Sequence, residues 1–161
     1  MIFVTVGTPK YDFSRLVKAV DELQTKEKIV VQLGYTKYVP KNCEWFRFTT
    51  PEKIEQLVKQ CRVHISHGGI GSIMMPLEYV KPVVAVPRMK KFDEHVNDHQ
   101  MQIVKEMEKQ KKVIAVYDIG KLQAALEKAG KMKVVHKKKG TRIISIIGKF
   151  LEGEKKCQCC C

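Results

Sequence analysis

The feature that most constrains the fold is a regular alternation of short apolar runs with segments of helical periodicity along the 161-residue chain. Short apolar runs bounded by turn residues predict β-strands, whereas apolar residues spaced three or four positions apart predict helices. Six predicted strands cover residues 2–6, 29–33, 45–48, 63–66, 82–86 and 113–116.

Capping residues mark where the intervening helices are expected to begin. Asp12 is predicted to be the N-cap of the first helix, and Thr50 followed by Pro51 marks the start of the second. Glycines after the fourth strand lead into a third helix. Helical spacing predicts a fourth helix over residues 96–109, and Asp118 is predicted to cap the last one.

The predicted strands are nearly continuous in apolar residues, which is typical of a parallel sheet covered by helices on both faces. The strand–helix alternation therefore predicts the α/β class, with a doubly wound, mostly parallel, Rossmann-like sheet. Ligands bind such sheets beyond the carboxyl ends of the strands. We expect the functional residues in three segments there: residues 7–8, 67–72 and 87–100.

The chain is predicted to comprise an α/β domain (residues 1–134), a basic amphipathic helix (135–156) and a cysteine-rich tail (157–161). The 30 Lys and Arg residues outnumber the 17 Asp and Glu residues, and residues 105–156 hold 15 basic against 6 acidic ones. This excess suggests a polyanionic partner, either nucleic acid, an anionic membrane or an acidic protein. The apolar stripe of residues 143–151 either packs on its own domain or docks on a membrane-anchored partner, with nearby lysines facing anionic lipid.

The sequence also predicts a compartment. No apolar run approaches the roughly 18–20 residues that span a bilayer, and the first residues do not resemble a signal peptide. Four of the six cysteines fall in the last five positions, which is no framework for a disulfide-stapled fold. We expect a reducing cytosol. The tail itself is either disordered or a lipid-attachment site.

A glycine-rich turn at residues 66–72 (SHGGIGS) follows the fourth strand and opens a helix. Glycines allow close backbone approach, and a helix N-terminus offers unpaired amides and partial positive charge, which together suit a diphosphate. A tight turn without a ligand would explain the same glycines. The dinucleotide-binding and P-loop spacings are both absent, which argues against hydride transfer and ATP hydrolysis.

A second polar cluster lies at residues 92–100, just beyond the fifth strand. Asp98 can accept hydrogen bonds and Gln100 can both donate and accept them, which suits the hydroxyls of a sugar. The alternative is a solvated helix start, because Asp, Asn and Glu are common in first turns.

Four segments in order, residues 1–8 (MIFVTVGT), 66–73 (SHGGIGSI), 77–88 (LEYVKPVVAVPR) and 94–100 (EHVNDHQ), resemble glycosyltransferase family 28. The resemblance covers roughly residues 1–117. More narrowly, the chain resembles small soluble subunits that correspond to the C-terminal half of that family's GT-B fold. These include a bacterial exopolysaccharide type and the eukaryotic catalytic subunit that adds GlcNAc to dolichyl-diphosphate-GlcNAc. The last segment is more similar to the bacterial type.

The resemblance implies a role for each matching residue in binding a UDP-sugar donor. The glycine turn would lie against the diphosphate, and the residues after the first strand would line the same pocket. Asp98, His99 and Gln100 would approach the sugar, and the backbone near Pro87 and Arg88 would lie close to the uracil or ribose. Several relatives hold the ribose with an acidic residue where this chain has Met75, so Glu78 is the candidate for that task here. The remaining implied donor-binding residues are Gly7, Thr8, His67, Gly68, Gly69, Gly71, Ser72, Glu94, Asn97, Asp98, His99 and Gln100.

The implied reaction is a direct displacement with inversion, in which the helix N-terminus stabilises the departing UDP. The sequence contains neither an Asp-x-Asp pair nor a cluster with metal-ligand spacing, so we expect no metal and no cofactor besides the donor substrate. His67 and His95 are candidate general bases. The resemblance also implies a membrane-anchored, acceptor-binding glycosyltransferase subunit as partner and a lipid-linked acceptor.

This places the chain at the cytoplasmic membrane face, as a peripheral protein held by its partner and its basic helix. Two alternatives remain open. One is a non-catalytic subunit that only binds the sugar nucleotide. The other is a basic nucleic-acid-binding protein, which the absence of helix-turn-helix, zinc-knuckle and RNP signatures disfavours, so we expect no nucleic-acid partner.

Overall fold

The computed structural model describes residues 1–132, which form one six-stranded sheet with helices on both faces. Every strand pair is parallel, and the spatial order of the strands is β3-β2-β1-β4-β5-β6. The strands are β1 (Ile2–Thr5), β2 (Ile29–Gln32), β3 (Glu44–Phe46), β4 (Val63–Ser66), β5 (Val83–Ala85) and β6 (Ile114–Ala115). The helices are α1 (Ser14–Asp21), α2 (Pro51–Gln60), α3 (Ile70–Glu78), α4 (His99–Lys109) and α5 (Leu122–Lys131), and two 3-10 turns cover Lys90–Phe92 and Ile119–Lys121.

The doubly wound, parallel α/β fold predicted from the sequence is confirmed. The end of the predicted domain at residue 134, the predicted helix over 135–156 and the tail over 157–161 lie outside the described residues. No helix within residues 1–132 is long and apolar enough to cross a membrane.

Side chains that alternate along the strands divide between two cores, one on each face of the sheet. Ile2 and Val4 of β1 pack with α1 and α5 on one face, whereas Phe3 packs with α2 on the other. Helices α3 and α4 cover β5 on that second face through Ile73 and Val104, both fully buried. Burial of apolar side chains on both faces explains why the strands are nearly continuous in apolar residues.

The strand order places a topological switch point between β1 and β4. From β1 the chain continues outward to β2 and β3, and from β4 it continues in the opposite direction to β5 and β6. The loops that follow β1 and β4 therefore diverge, which leaves a crevice at the carboxyl ends of these two neighbouring strands. Gly7 and His67 lie immediately beyond them.

Some of the predicted N-caps, which mark where helices begin, are confirmed and others are wrong. The hydroxyl of Thr50 accepts a hydrogen bond from the Lys53 amide at 3.4 Å, so the predicted cap of α2 is confirmed. Asp12 does not cap α1, because its carboxylate instead accepts bonds from the Ser14 hydroxyl and the Lys37 amide, both at 2.8 Å. Asp118 caps the short 3-10 turn rather than α5.

The predicted helix over residues 96–109 begins three residues later than expected, at His99. Asp93 adopts a left-handed φ of 55°, and residues 93–98 form a series of turns instead of helix. This irregular segment carries most of the polar residues that the sequence assigned to the sugar.

Candidate functional site

The glycine turn after β4 is shaped by close packing within the protein itself. Gly68 has a φ of 88°, and a Cβ at that position would lie 3.1 Å from both the Pro87 Cα and a methyl group of Val104. A Cβ on Gly69 would lie 2.5 Å from the His67 ring. The alternative of a tight turn therefore accounts for these two glycines without any ligand.

Gly71 differs from its neighbours because a Cβ placed there would meet no atom within 4 Å other than those of its adjacent residues and of its own helix backbone. It is the second residue of α3 and is exposed. The space above the first turn of α3 is consequently open, and the fold does not require a glycine at this position.

The N-terminus of α3 is not capped by a side chain. Its N-cap residue is Gly69, and the first amides of the helix, those of Ile70, Gly71 and Ser72, lack acceptors within the helix. The Ser72 hydroxyl bonds to the Gly69 carbonyl at 2.8 Å and to the Ser66 hydroxyl at 2.6 Å, which fixes the turn. A helix start with free amides and partial positive charge, open to solvent, has the chemistry that suits an anion.

His67 lies between the two turns that follow β1 and β4. Its ring is close enough to the backbone of Gly7 that a Cβ there would lie 2.7 Å from Nε2, and the residue is 9% exposed. Nδ1 lies 3.3 Å from the Thr5 carbonyl, which can only accept, so Nδ1 is the donor and Nε2 carries the lone pair in the neutral ring. Burial, reinforced by the positive charge of Arg88, lowers the pKa of His67 to about 4. The ring is therefore neutral near pH 7, but it is a weak base.

A cleft of about 220 Å³ opens beside the glycine turn, between the sheet and helices α2 and α3. Its floor includes Gln32, whose side chain accepts a bond from the Gly7 amide at 3.2 Å and donates to the Gly7 carbonyl at 3.3 Å. Phe48, 51% exposed, lies at its rim and contacts the ring of Tyr35 edge-on. The residues that line the cleft are Thr5, Gly7, Thr8, Gln32, Phe48, Thr49, Ile54, Val58, His64, His67, Gly71, Ser72, Met75 and Pro76.

Several of these lining residues were not predicted from the sequence to belong to the site. Gln32 could have been found as a polar residue within an otherwise apolar strand, and the structure buries it to 5% exposure. Phe48 and Thr49 carried no such signal, because their position depends on how the chain leaves β3. His64, which also lines the cleft, is buried within β4, and burial lowers its pKa to about 3.

Position 75, rather than 78, faces the cleft. Met75 lines it, whereas Glu78 is the last residue of α3 and is exposed. Because each helical residue advances about 1.5 Å, Glu78 lies about 12 Å along the axis from the start of the helix. The structure does not bring Glu78 to the glycine turn, so the expectation that it holds the ribose is not supported by its position.

Glu94 and Arg88 are buried in contacts with the protein. The Glu94 carboxylate, 3% exposed, accepts two bonds from Arg15 at 2.8 Å and one from the Met89 amide at 3.1 Å. Arg88 is fully buried, and its guanidinium donates to backbone carbonyls, including that of Val6 at 2.7 Å. Neither side chain is presented to a ligand, contrary to what the sequence suggested for Glu94.

The rest of the 94–100 segment makes local contacts at the start of α4. The exposed Asp98 accepts a bond from the Lys90 amide at 3.0 Å, and the half-buried His95 accepts one from the Asn97 amide at 3.3 Å. The Asn97 side chain accepts from the His99 amide at 3.2 Å. Only the Asn97 bond involves the first residue of α4, and no side chain caps the helix at Asp98. The alternative of a solvated helix start therefore accounts for little of the segment's composition.

The glycine turn and this segment nevertheless lie side by side. Pro87 and Val104, which flank the segment, both approach Gly68, and the side chain of Gln100 accepts a bond from the Arg88 amide at 3.2 Å. Of the sequence-predicted residues, Gly7, Thr8, His67, Gly71 and Ser72 line the cleft, whereas Glu78 and residues 94–100 do not. Within residues 1–132, no group of three His, Cys, Asp or Glu side chains is arranged to hold a metal ion.

Comparisons with known proteins agree with this architecture. The solved structure of the glycotransferase of kitacinnamycin superposes with a TM-score of 0.55 over 81% of this chain and 35% of that protein, at 18% identity. A likeness at this identity supports the fold alone.

Similarity in sequence is more specific. The UDP-N-acetylglucosamine transferase subunit ALG13 of Homo sapiens is 31% identical over 120 residues, which are 68% of this chain and 10% of that protein. The Mus musculus protein of the same name is 33% identical over 120 residues, 67% of this chain and again 10% of the relative. The chain thus spans about a tenth of the length of these curated relatives. The family model described as the glycosyltransferase family 28 C-terminal domain matches residues 1–151, and the chain therefore belongs to that family.

Proposed function

We propose that this chain is the donor-binding, catalytic subunit of an inverting glycosyltransferase that uses a UDP-sugar. The observation that carries the proposal is the uncapped first turn of α3, which is open to solvent at the switch point of a family 28 domain. The relatives named above are subunits of a UDP-N-acetylglucosamine transferase, which makes UDP-GlcNAc the first donor to test.

In this proposal, the donor diphosphate binds the first amides of α3, from Ile70 to Ser72. As the bond between the anomeric carbon and the diphosphate oxygen breaks, negative charge grows on UDP, and these amides together with the helix dipole stabilise it. Such stabilisation needs no metal ion. The nucleoside extends into the cleft toward Gln32 and Phe48, where a planar base finds an apolar rim and amide groups. The sugar then points toward the start of α4.

The acceptor hydroxyl attacks the anomeric carbon from the opposite side, and its proton passes to a general base. His67 is poorly suited, because its pKa of about 4 makes it a weak base and its ring is 9% exposed. His95 is half-buried, and its Nδ1 already accepts the Asn97 amide, so its neutral ring carries the proton on Nε2 and has no free lone pair unless that bond breaks. A base supplied by a partner subunit is therefore the source that this arrangement favours.

The partner belongs to the proposal. The relatives are described as subunits, which supports a partner for this chain. We infer a membrane-anchored subunit that binds a lipid-linked acceptor, with this chain held at the cytoplasmic membrane face. In the alternative of a non-catalytic, sugar-nucleotide-binding subunit, the partner rather than this chain supplies the reacting groups.

Calorimetry on the full chain tests the donor assignment. We expect UDP and UDP-GlcNAc to bind, uridine to bind at least about tenfold more weakly because it lacks the diphosphate, and EDTA to leave the affinities unchanged. Equal binding of uridine and UDP would refute the assignment of the diphosphate to α3. Transfer by the chain with its co-purified partner should be lost in Asp98→Ala or Gln100→Ala if this chain holds the donor, and undiminished turnover in these variants would contradict the assignment.

A further inference from the structure

Two loops border the site, and buried arginines tie them together. The first loop (residues 6–13) follows β1 and includes Gly7 and Thr8, and the second loop (residues 86–98) follows β5 and carries His95 and Asp98. They are some 80 residues apart in sequence, so the contacts between them set the geometry of the site.

Arg88 makes the most extensive of these contacts. Its guanidinium donates to the carbonyls of Val6 at 2.7 Å and Tyr11 at 3.1 Å in the first loop, and to that of Glu94 at 3.1 Å in the second. It also lies over the ring of Phe13, 4.6 Å from the centroid. Burial lowers the pKa of Arg88 to about 10, opposed by the nearby carboxylate of Glu94, so the side chain remains charged near pH 7.

Arg15, in the first turn of α1, forms the second tie. It donates in a bidentate manner to the Glu94 carboxylate, with both nitrogen–oxygen distances at 2.8 Å, and also to the Pro87 carbonyl at 3.1 Å. The arginine side chain is 16% exposed and the Glu94 side chain 5%. The same carboxylate accepts the Met89 amide, so one acidic side chain fixes both the α1 side and the start of the second loop.

We propose that Arg15, Glu94 and Arg88 form a positioning clamp that sets the second loop, and with it His95 and Asp98, against the glycine turn. This rests on the proposed function and refines it. The clamp determines how tightly the sugar end of the donor is held, whereas the diphosphate, on the amides of α3, does not depend on it. None of the three side chains touches the donor, and each acts through the backbone it holds.

The chain offers a matched control for the clamp. Arg62 also makes a bidentate bond with Glu27, in which Nε lies 2.9 Å from one carboxylate oxygen and Nη2 lies 2.5 Å from the other, but at the opposite edge of the sheet, where the chain enters β4. Arg62→Met removes a similar ion pair without affecting either loop. Arg15→Met breaks the clamp, and Arg15→Lys keeps the charge while losing the bidentate geometry.

The experiment compares these variants of the full chain by amide hydrogen exchange without ligand, and by calorimetry with UDP and with UDP-GlcNAc. We expect wild type to bind UDP-GlcNAc more tightly than UDP. In Arg15→Met, the affinity for UDP should stay within about twofold, while UDP-GlcNAc should lose about tenfold because its sugar contacts are misplaced. In Arg15→Met, amide exchange should also rise in residues 86–98. Arg15→Lys should give exchange and UDP-GlcNAc affinity between those of Arg15→Met and wild type. Arg62→Met should match wild type in both exchange and affinity.

Different failures point to different errors. Unchanged exchange and an unchanged preference for UDP-GlcNAc in Arg15→Met would overturn the clamp, as would an equal loss for UDP and UDP-GlcNAc, which indicates a merely structural role. Failure of wild type to bind UDP would contradict the proposed function instead. In that case the exchange measurement would still decide whether Arg15 holds the second loop.

Discussion

The substitution Gly71→Glu should change stability and ligand binding in opposite directions. Gly71 is an exposed residue in the first turn of α3, and a Cβ placed there would meet no atom within 4 Å other than those of its adjacent residues and of its own helix backbone. The folded protein can therefore accept a glutamate there. We predict that Gly71→Glu raises the free energy of unfolding and weakens UDP binding.

The two magnitudes follow from the position of the residue. Replacing a helical glycine gains about 0.5–1 kcal/mol, and a carboxylate in the first turn adds about 0.3–1 kcal/mol through the helix dipole, for a total of about 1–2 kcal/mol. The same carboxylate would lie about 4 Å from a bound phosphate. Repulsion between unit charges at that distance is about 1 kcal/mol in water and about 4 kcal/mol near a protein surface, so the dissociation constant should rise between about 5-fold and about 1,000-fold.

Denaturant unfolding and calorimetry with UDP measure the two effects on the same samples. Gly71→Ala is the matched control, because it supplies the helix propensity without the charge and should weaken UDP binding far less. A folded, stabilised Gly71→Glu protein that binds UDP as tightly as wild type would refute the placement of the diphosphate at the start of α3.

Three further predictions concern stability. Val80 adopts a left-handed φ of 57°, which is strained for a β-branched residue, so Val80→Gly should raise the free energy of unfolding by about 1 kcal/mol in denaturant titrations, and a loss would contradict the strain. Thr50→Ala removes the cap of α2 and should cost about 1 kcal/mol in the same assay, whereas no change would mean that the cap bond is unimportant. Because burial holds the pKa of His64 at about 3, below its unfolded value near 6.5, the unfolded chain binds an extra proton between these limits and stability should fall as the pH drops through them. His64→Leu should flatten that slope by up to about 1.4 kcal/mol per pH unit, and an unchanged slope would contradict the depressed pKa.

The fold was largely predictable because its main signal is local. Each buried parallel strand is a short apolar run, and the cap at Thr50 is a local pattern, so the sheet and most of its helices could be inferred from residues close in sequence. The predicted start of a helix was wrong where a residue of a type that often caps helices makes its hydrogen bonds elsewhere. Asp12, for example, holds the Lys37 amide, and that contact depends on the path of a distant loop.

The site was predictable in part for the same reason. The glycine turn combines a strand end with a helix start and is visible in the sequence, but the partner of Glu94 is Arg15, 79 residues away. An acidic residue in a polar loop was therefore assigned to a sugar although it binds an arginine. Likewise, Gln32 ends β2 and Phe48 follows β3, and both reach the cleft because these two strands pair, which only the folded sheet defines.

Amide NMR spectra recorded during titration with UDP, and separately with uridine, test most directly whether the start of α3 holds the diphosphate. The account predicts that the resonances of Ile70, Gly71 and Ser72 shift with UDP and not with uridine, since only the diphosphate reaches these amides. Shifts that occur with both ligands alike, or that leave these three amides unmoved while UDP binds elsewhere, would contradict it.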